Sequence, residues 1–473
     1  MISFLRYLLT VGAVLVGGLA GGGAKPPAKP NIVFILADDM GYGDLGCFGQ
    51  STLATPNLDR MAAEGLKFTR HYAGCTVCAP SRCVLMTGLH TGHCTVRGNG
   101  DVLLKDSDLT VAGVLRQAGY ATGCFGKWGV GHPPPHDDPN RRGFDEFYGY
   151  VNMHHAHNFY PEFLIRNGEI APLRNVTKPV WKADADRAAG APREGSGVAE
   201  KKVDYAPALI ADEALKFIDT HRDGPFFLYF ALNVPHANNE GGRDEEQKDG
   251  MEVPEYGRFA DRPWPNPEKG FATMMDSIDQ DVGRVLGKLR ALGIAEKTLV
   301  LFSSDNGPHQ EGNHETEFFN SNGDLNGKKR DLTEGGVRVP TIAWWPGQIA
   351  PGGVTDLLSG FQDFLPTAAA LAGATSPEKL DGFSLVPTLL GNAGAQRKHE
   401  FLYWEFQEQG GKTAVVTERW KGLRLKTDQD PDGPVLLYDL RADPAETKDV
   451  AAEHPEVVRQ MVEWMRASHT PES

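Results

Sequence analysis

"NIVFILADDMGYGD", residues 31–44, decides the fold. An unbroken apolar run, Ile32–Ala37, stops at two aspartates and a glycine-rich turn. Such a run suits a strand buried on both faces, with a polar site where it ends. The pattern recurs twice: Phe226–Leu232 leads into "NVPH", and Leu299–Phe302 into "SSDNGPH". Helical spacing fills the intervals, in "TVAGVLRQA" (110–118, stopped by Gly119) and in 271–292. The alternation predicts an α/β fold with a large, mostly parallel sheet flanked by helices.

Outward from this core, "LAGATSPEKLDG" (371–382) reads as a domain seam. Beyond it, "FLYWEF", "TAVVTE", "KGLRLK" and "PVLLYDL" have the length and spacing of four hairpin strands, and 455–465 closes the chain as a helix. This predicts a small C-terminal α+β subdomain with a short antiparallel sheet. The expected division is 1–24 signal peptide, 25–30 linker, 31–375 catalytic domain and 376–473 subdomain. Segments 174–202 and 238–270, dense in Gly, Pro, Ala and charge, read as surface loops that shape access to a site.

The first 24 residues combine Arg6, an apolar stretch over 7–19 and small residues over 17–24, as a secretory signal does. The apolar stretch is shorter than the ~20 residues of a spanning helix, so no stable membrane anchor is expected and the chain is read as exported, periplasmic or secreted. With 473 residues and a formal charge of −14, no basic stripe interleaved with aromatics is present, which argues against nucleic acid as a partner. The six cysteines fall at 47, 75, 78, 83, 94 and 124, and their pairing is open.

"CTVCAPSRCVLMTG", residues 75–88, places three cysteines close together. Cys75 and Cys78 could form half a zinc site or a redox couple, but no second pair at ligand spacing exists. The residues that follow are more informative. Pro80 suits a first helical turn, Ser81 supplies a hydroxyl, and Arg82 is a permanent cation beside a helix N-terminus. Cys78-Ala79-Pro80-Ser81-Arg82 followed by Thr87-Gly88 resembles the sulfatase signature C-x-P-S-R-x-x-x-x-T-G. Met86 stands where that family more often has leucine, a volume-conserving difference.

The resemblance implies an alkaline-phosphatase-like α/β/α sandwich and Cα-formylglycine formed at Cys78 by a maturation enzyme. It also implies a metal site of Asp38, Asp39, Cys78, Asp305 and Asn306, from "ILADDMGYGD" and "SSDNGPH". Acid and amide oxygens favour one Ca2+ over Zn2+, with Mg2+ the alternative. Lys127 in "GKWG" and Lys329 in "GKKRDLTEGG", or its neighbour Lys328, would contact sulfate, and His236 would protonate the leaving group. Arg82 would help neutralise the anion. Many members read G-K-W-H, whereas this chain has Gly129; His155 and His157 in "MHHAHN", with His132 behind them, are the candidates for the missing histidine.

In the implied reaction, one hydroxyl of hydrated formylglycine attacks sulfur and the other, once deprotonated, expels sulfate and regenerates the aldehyde. Polar and aromatic residues at His155, His157, Tyr160, His309, His314, Trp404 and Glu405 are read as a rim suited to a sulfated carbohydrate. The rival readings are an aryl sulfatase, a formylglycine-dependent phosphonate or phosphodiester hydrolase, and a non-catalytic calcium-dependent glycan binder.

Overall fold

In the computed structural model, which describes residues 29–100, 102–130, 137–178 and 195–471, the 31–37 run is the central strand β1, Asn31–Ala37, with every residue buried. Nine more strands share its sheet. They are β2 (Leu66–Phe68), β3 (Ala121–Lys127), β4 (Glu146–Tyr150), β5 (Phe163–Arg166), β6 (Glu169–Pro172), β7 (Phe226–Ala231), β8 (Thr298–Ser304), β9 (Thr341–Trp344) and β10 (Gly353–Thr355). Their spatial order is β10-β2-β9-β8-β1-β7-β3-β4-β5-β6. The five central strands from β8 to β4 run parallel. Outside them β9 and β5 are antiparallel to their inner neighbours, while the edge strand β10 is again parallel to β2, so the sheet is mixed with a parallel centre.

Alternate residues of β1 feed opposite cores, as the period-2 geometry of a strand requires. Val33, Ile35 and Ala37 meet α1 (Pro56–Ala63), α4 (Ala206–His221) and α5 (Asn266–Ala291). Ile32, Phe34 and Leu36 meet α2 (Cys78–Thr87), α3 (Val111–Gln117) and α6 (Phe364–Ala372). The result is the three-layer α/β/α sandwich. Thr110, read as the first residue of the helical run, instead caps α3 by accepting from the Gly113 amide at 3.1 Å. Helix α5 begins five residues ahead of the expected 271, inside the segment read as a loop, because Pro267 starts a helix well at its first turn.

The C-terminal sheet joins β11 (Leu402–Phe406), β12 (Lys412–Val416), β13 (Trp420–Leu425) and β14 (Val435–Asp439), with α7 (Pro455–Ser468) on its outer face. Its inner face packs Leu402, Trp404 and Phe406 against Tyr72, Cys75 and Val77. Two residues expected at a substrate rim are therefore structural. Trp404 donates to the Ala73 carbonyl at 2.9 Å, and Glu405 pairs with Arg97 at 2.9 Å. All six cysteines are free. Residues 1–24, His132 and most of 174–202 lie outside the described residues, and no described helix is long and apolar enough to cross a membrane.

A buried charge cluster locks the two units together. Lys421 on β13 sits 3.0 Å from Glu334 and 3.2 Å from Glu446, all three side chains fully buried. Glu334 also accepts from the Tyr72 hydroxyl at 2.8 Å. Removing one member of a buried ionic set strands the others without a counter-charge, a loss of about 3–5 kcal/mol. Lys421→Ala is expected to lower stability by that order, and more than Lys421→Met with Glu334→Gln and Glu446→Gln together, in denaturant titrations.

Candidate active site

Strand register assembles the centre. Ala37 of β1 pairs with Ser304 of β8, so Asp38-Asp39 and Asp305-Asn306 leave the sheet side by side. On the other flank β1 pairs with β7, which leads to His236, and β7 pairs with β3, which ends at Lys127. The amide of Asp39 donates to Asp305 Oδ1 at 3.0 Å, and Asp39 holds a left-handed φ of 67°. A non-glycine residue held there is the kind of local strain that functional sites keep.

The signature residues divide the work of holding Cys78. Cys78 is the first residue of α2, whose ten residues are all buried. Ser81 Oγ donates to the Asp305 carbonyl at 2.5 Å and accepts from the Gly74 amide at 3.1 Å, fastening the helix to the end of β8. Arg82 gives Nε and Nη2 to Asp305 Oδ2 at 2.9 and 2.7 Å and Nη1 to the Lys127 carbonyl at 2.6 Å. Its guanidinium is thus built into the carboxylate cluster. Thr87 bonds back to the Cys83 carbonyl at 2.8 Å, and Gly88 ends the helix at φ 72°, where a residue without Cβ is favoured.

Around the Cys78 thiol, which stands where the formylglycine oxygens would be, the groups converge. Lys127 Nζ lies 3.2 Å from Sγ and 2.7 and 3.0 Å from the Asp38 oxygens. Asp38 Oδ1 is 3.4 Å from Sγ. Lys329 Nζ reaches Asp39 at 2.8 Å, Glu311 at 2.9 Å and His236 Nε2 at 3.1 Å. Of the paired lysines it is Lys329 that faces the centre, while Lys328 turns toward Gln310 and Glu317. His236 donates Nδ1–H to the Ala237 carbonyl at 2.6 Å, which leaves Nε2 facing Asp39 and Lys329.

Burial and charge set the protonation states. Burial favours a neutral Asp38, but Lys127 and Arg82 outweigh it and hold the carboxyl well below its usual range. Asp305 is pushed up to about 7 by burial and by Asp38 beside it. Burial and then Lys329 lower His236 to about 3. Burial raises the Cys78 thiol well above its ordinary value despite Lys127. A thiol held protonated is a weak nucleophile, so the position gains its chemistry only after conversion.

Of the two histidines proposed to replace the one missing at Gly129, only one faces this centre. His157 stacks on His236, with ring centroids 4.8 Å apart, and its Nδ1 approaches buried Glu240 at 3.3 Å. His155 turns away, with Nε2 2.9 Å from the Phe163 carbonyl and its ring edge-on to Tyr150. His309 lies beside His236, while His314 pairs with Glu268 at 2.7 Å. Sequence reasoning missed Glu311, two residues past the "SSDNGPH" segment, and Glu240, on the short helix Asn239–Arg243, because neither belongs to a recognised motif.

Comparison with known proteins agrees with this geometry. A family model described as "Sulfatase" matches residues 30–374, most of the chain. The chain belongs to the sulfatase family. A second model, the C-terminal region of N-sulphoglucosamine sulphohydrolase, matches 327–470. Human arylsulfatase A is 34% identical over 94% of this sulfatase and 88% of its own length. An N-acetylgalactosamine-6-O-sulfatase of Bacteroides thetaiotaomicron is 31% identical, with 93% of each chain covered. Among solved structures, Ps i-CgsB in complex with k-i-k-neocarrahexaose superposes with a TM-score of 0.73 at 27% identity, covering 94% of each chain. The phosphonate monoester hydrolase of Agrobacterium radiobacter shares the fold at 21% identity and a TM-score of 0.62, over 93% of this sulfatase and 95% of that chain.

The donor set fits a hard divalent cation. Asp38, Asp39, Cys78 and Asp305 bring their ligand atoms within 4.8 Å of one another, and Asn306 Oδ1 is buried with no hydrogen-bond partner. An orphaned amide oxygen beside three carboxylates is what Ca2+ would complete.

Gly129 explains its own departure from the common motif. It holds φ +61°, and a Cβ there would lie 3.2 Å from Lys127 Cε and 3.3 Å from Arg82 Cδ. Backbone strain of this kind costs roughly 1–3 kcal/mol. Gly129→His, although it restores the more common sequence, is expected to lower the melting temperature and reduce rather than raise turnover, checked by thermal denaturation and steady-state kinetics.

Proposed function

We propose that this sulfatase releases inorganic sulfate from a sulfated carbohydrate outside the cytoplasm, with Cα-formylglycine at Cys78 and one Ca2+. The observation that carries the reading is the convergence on Cys78 of Lys127 from one side and of the Lys329–His236 pair from the other. Formylglycine would supply the nucleophilic oxygen, and Ca2+ held by Asp38, Asp39, Asp305 and Asn306 would polarise the sulfate. The chain's own groups do the rest. Lys127 and Lys329 bind sulfate oxygens, and Asp38 and Asp39 position both lysines. Arg82 acts one layer below, holding Asp305 in place. With Nδ1–H given to the Ala237 carbonyl, His236 Nε2 takes a proton from the Lys329 ammonium 3.1 Å away and passes it to the leaving oxygen, and His157, stacked on His236, is the candidate for the return transfer.

The carbohydrate reading draws on relatives named as N-acetylgalactosamine-6-sulfatases and on the likeness to a structure solved with k-i-k-neocarrahexaose. The polar walls suit it too, with Glu240, Glu311, His157 and His309 around the centre. The signal-like first 24 residues support export, and a formylglycine-generating enzyme is the implied maturation partner.

The test begins with mass spectrometry of tryptic peptide 71–82 from active protein, where an aldehyde in place of the Cys78 thiol is expected. An intact thiol in protein that turns over would overturn the mechanism. Sulfate release is then screened across sulfated galactosides, N-acetylhexosamines and fucosides; activity confined to aryl sulfates would sink the carbohydrate reading.

A leaving-group series isolates the proton donor. General acid catalysis contributes typically 10²–10⁴-fold where the leaving oxygen needs a proton. His236→Asn is expected to cut kcat/KM by that order on a sugar sulfate and by far less on a nitrophenyl sulfate. Equal losses on both would remove His236 from the role.

A further inference from the structure

The C-terminal subdomain holds a cavity of about 430 Å3, with both apolar and charged walls, between the β11–β13 face and the end of α7. Tyr403, Phe406, Thr413, Arg424, Thr427 and Arg466 are among its lining residues. Arg424 is the anomaly. It is only 5% exposed, yet its guanidinium donates only to backbone carbonyls, Nε to Gly433 at 3.0 Å and Nη1 to Pro431 at 2.7 Å. No carboxylate among the described residues pairs with it. The two acids that line the cavity are engaged elsewhere: Glu405 with Arg97 at 2.9 Å and His469 at 2.8 Å, Asp432 with Arg466 at 3.0 Å.

A buried guanidinium has five N–H donors, and two carbonyls satisfy part of its hydrogen bonding without cancelling its charge. Burial accordingly lowers the Arg424 pKa. Asp432 and Asp430 lie near enough to favour its charge, but neither pairs with it, and the remaining N–H bonds adjoin a cavity large enough for a sugar-sized group. In a chain of formal charge −14, an anion would be retained only where such a local cation offers directed donors.

We infer that this cavity binds an oxyanion, the sulfate or carboxylate group of a saccharide, with Arg424 as its principal ligand. The inference rests on the carbohydrate reading for the source of the anion, not for the site. A short chain of contacts connects the cavity's wall to the catalytic centre. Phe406 and Gln407 lead into a turn whose Glu408 accepts from the Asn99 amide at 3.0 Å, and Asn99 Oδ1 accepts from the amide of Ala79, next to Cys78, at 3.0 Å. A saccharide held here would lie against the same turn that braces the nucleophile's helix.

The experiment is equilibrium dialysis of the full-length matured protein against radiolabelled inorganic sulfate and, separately, labelled glucuronate. Arg424→Gln is expected to bind one anion fewer per chain than the wild type, with turnover of a nitrophenyl sulfate unchanged. Loss in the sulfate arm alone assigns a sulfate ester, loss in the glucuronate arm a uronate. Identical stoichiometry and affinity in both arms overturns the inference. Should Arg424→Gln fail to fold, Arg424→Lys keeps the charge and loses the planar fork; binding at least tenfold weaker is expected, and wild-type affinity overturns the proposal. Dialysis needs no catalysis, so an inactive enzyme with a missing anion, or an active one without it, separates the failure of this site from that of the sulfatase chemistry.

Discussion

Three buried carboxylates, Asp38, Asp39 and Asp305, face three buried cations, Arg82, Lys127 and Lys329, and the rest of the molecule is arranged so that these six can coexist. None could stand alone in a dry interior, where an unpaired charge costs several kcal/mol. Their mutual pairing leaves the centre near neutrality before any ion or ester enters. A divalent cation held by Asp38, Asp39, Asp305 and Asn306 would add the positive charge that an anionic ester complements.

The sheet exists in the form it does because that balance demands close register. β1 and β8 are adjacent and parallel, so equal strand ends place Asp38 and Asp305 at one level. A one-residue slip would turn either of them into the hydrophobic layers. The helices on both faces fix that register by burying every side chain of β1, and Ser81 and Arg82 tie α2 to β8 from above. The C-terminal subdomain closes one side, held by the Glu334–Lys421–Glu446 cluster a few residues beyond Lys329.

Much of this was legible in the sequence, for physical reasons. Unbroken apolar runs ending in acids identify central strands, and the C-x-P-S-R motif is specific because each residue has a separate task in holding one helix. The edges were less legible: β2 and β10 have three residues each, too short to show a period, and their directions depend on pairing alone. Trp404 and Glu405 looked like rim residues because their chemistry suits sugar, but β11 buries both. His155 and His157 are two apart in a 3-10 turn, and only packing against Phe163 or His236 tells them apart. Glu311 and Glu240 act through distant partners, information that a linear pattern does not contain.

The complete burial of α2 has a consequence for the life history of the chain. Cys78 is 2% exposed, behind lysines, carboxylates and the hairpin that carries Glu408. An enzyme that oxidises a side chain must surround several residues on either side of it, and the folded protein offers no such segment. Enzymatic conversion of Cys78 would therefore require the chain before α2 has docked, and an unconverted molecule, once folded, would hold its thiol out of reach.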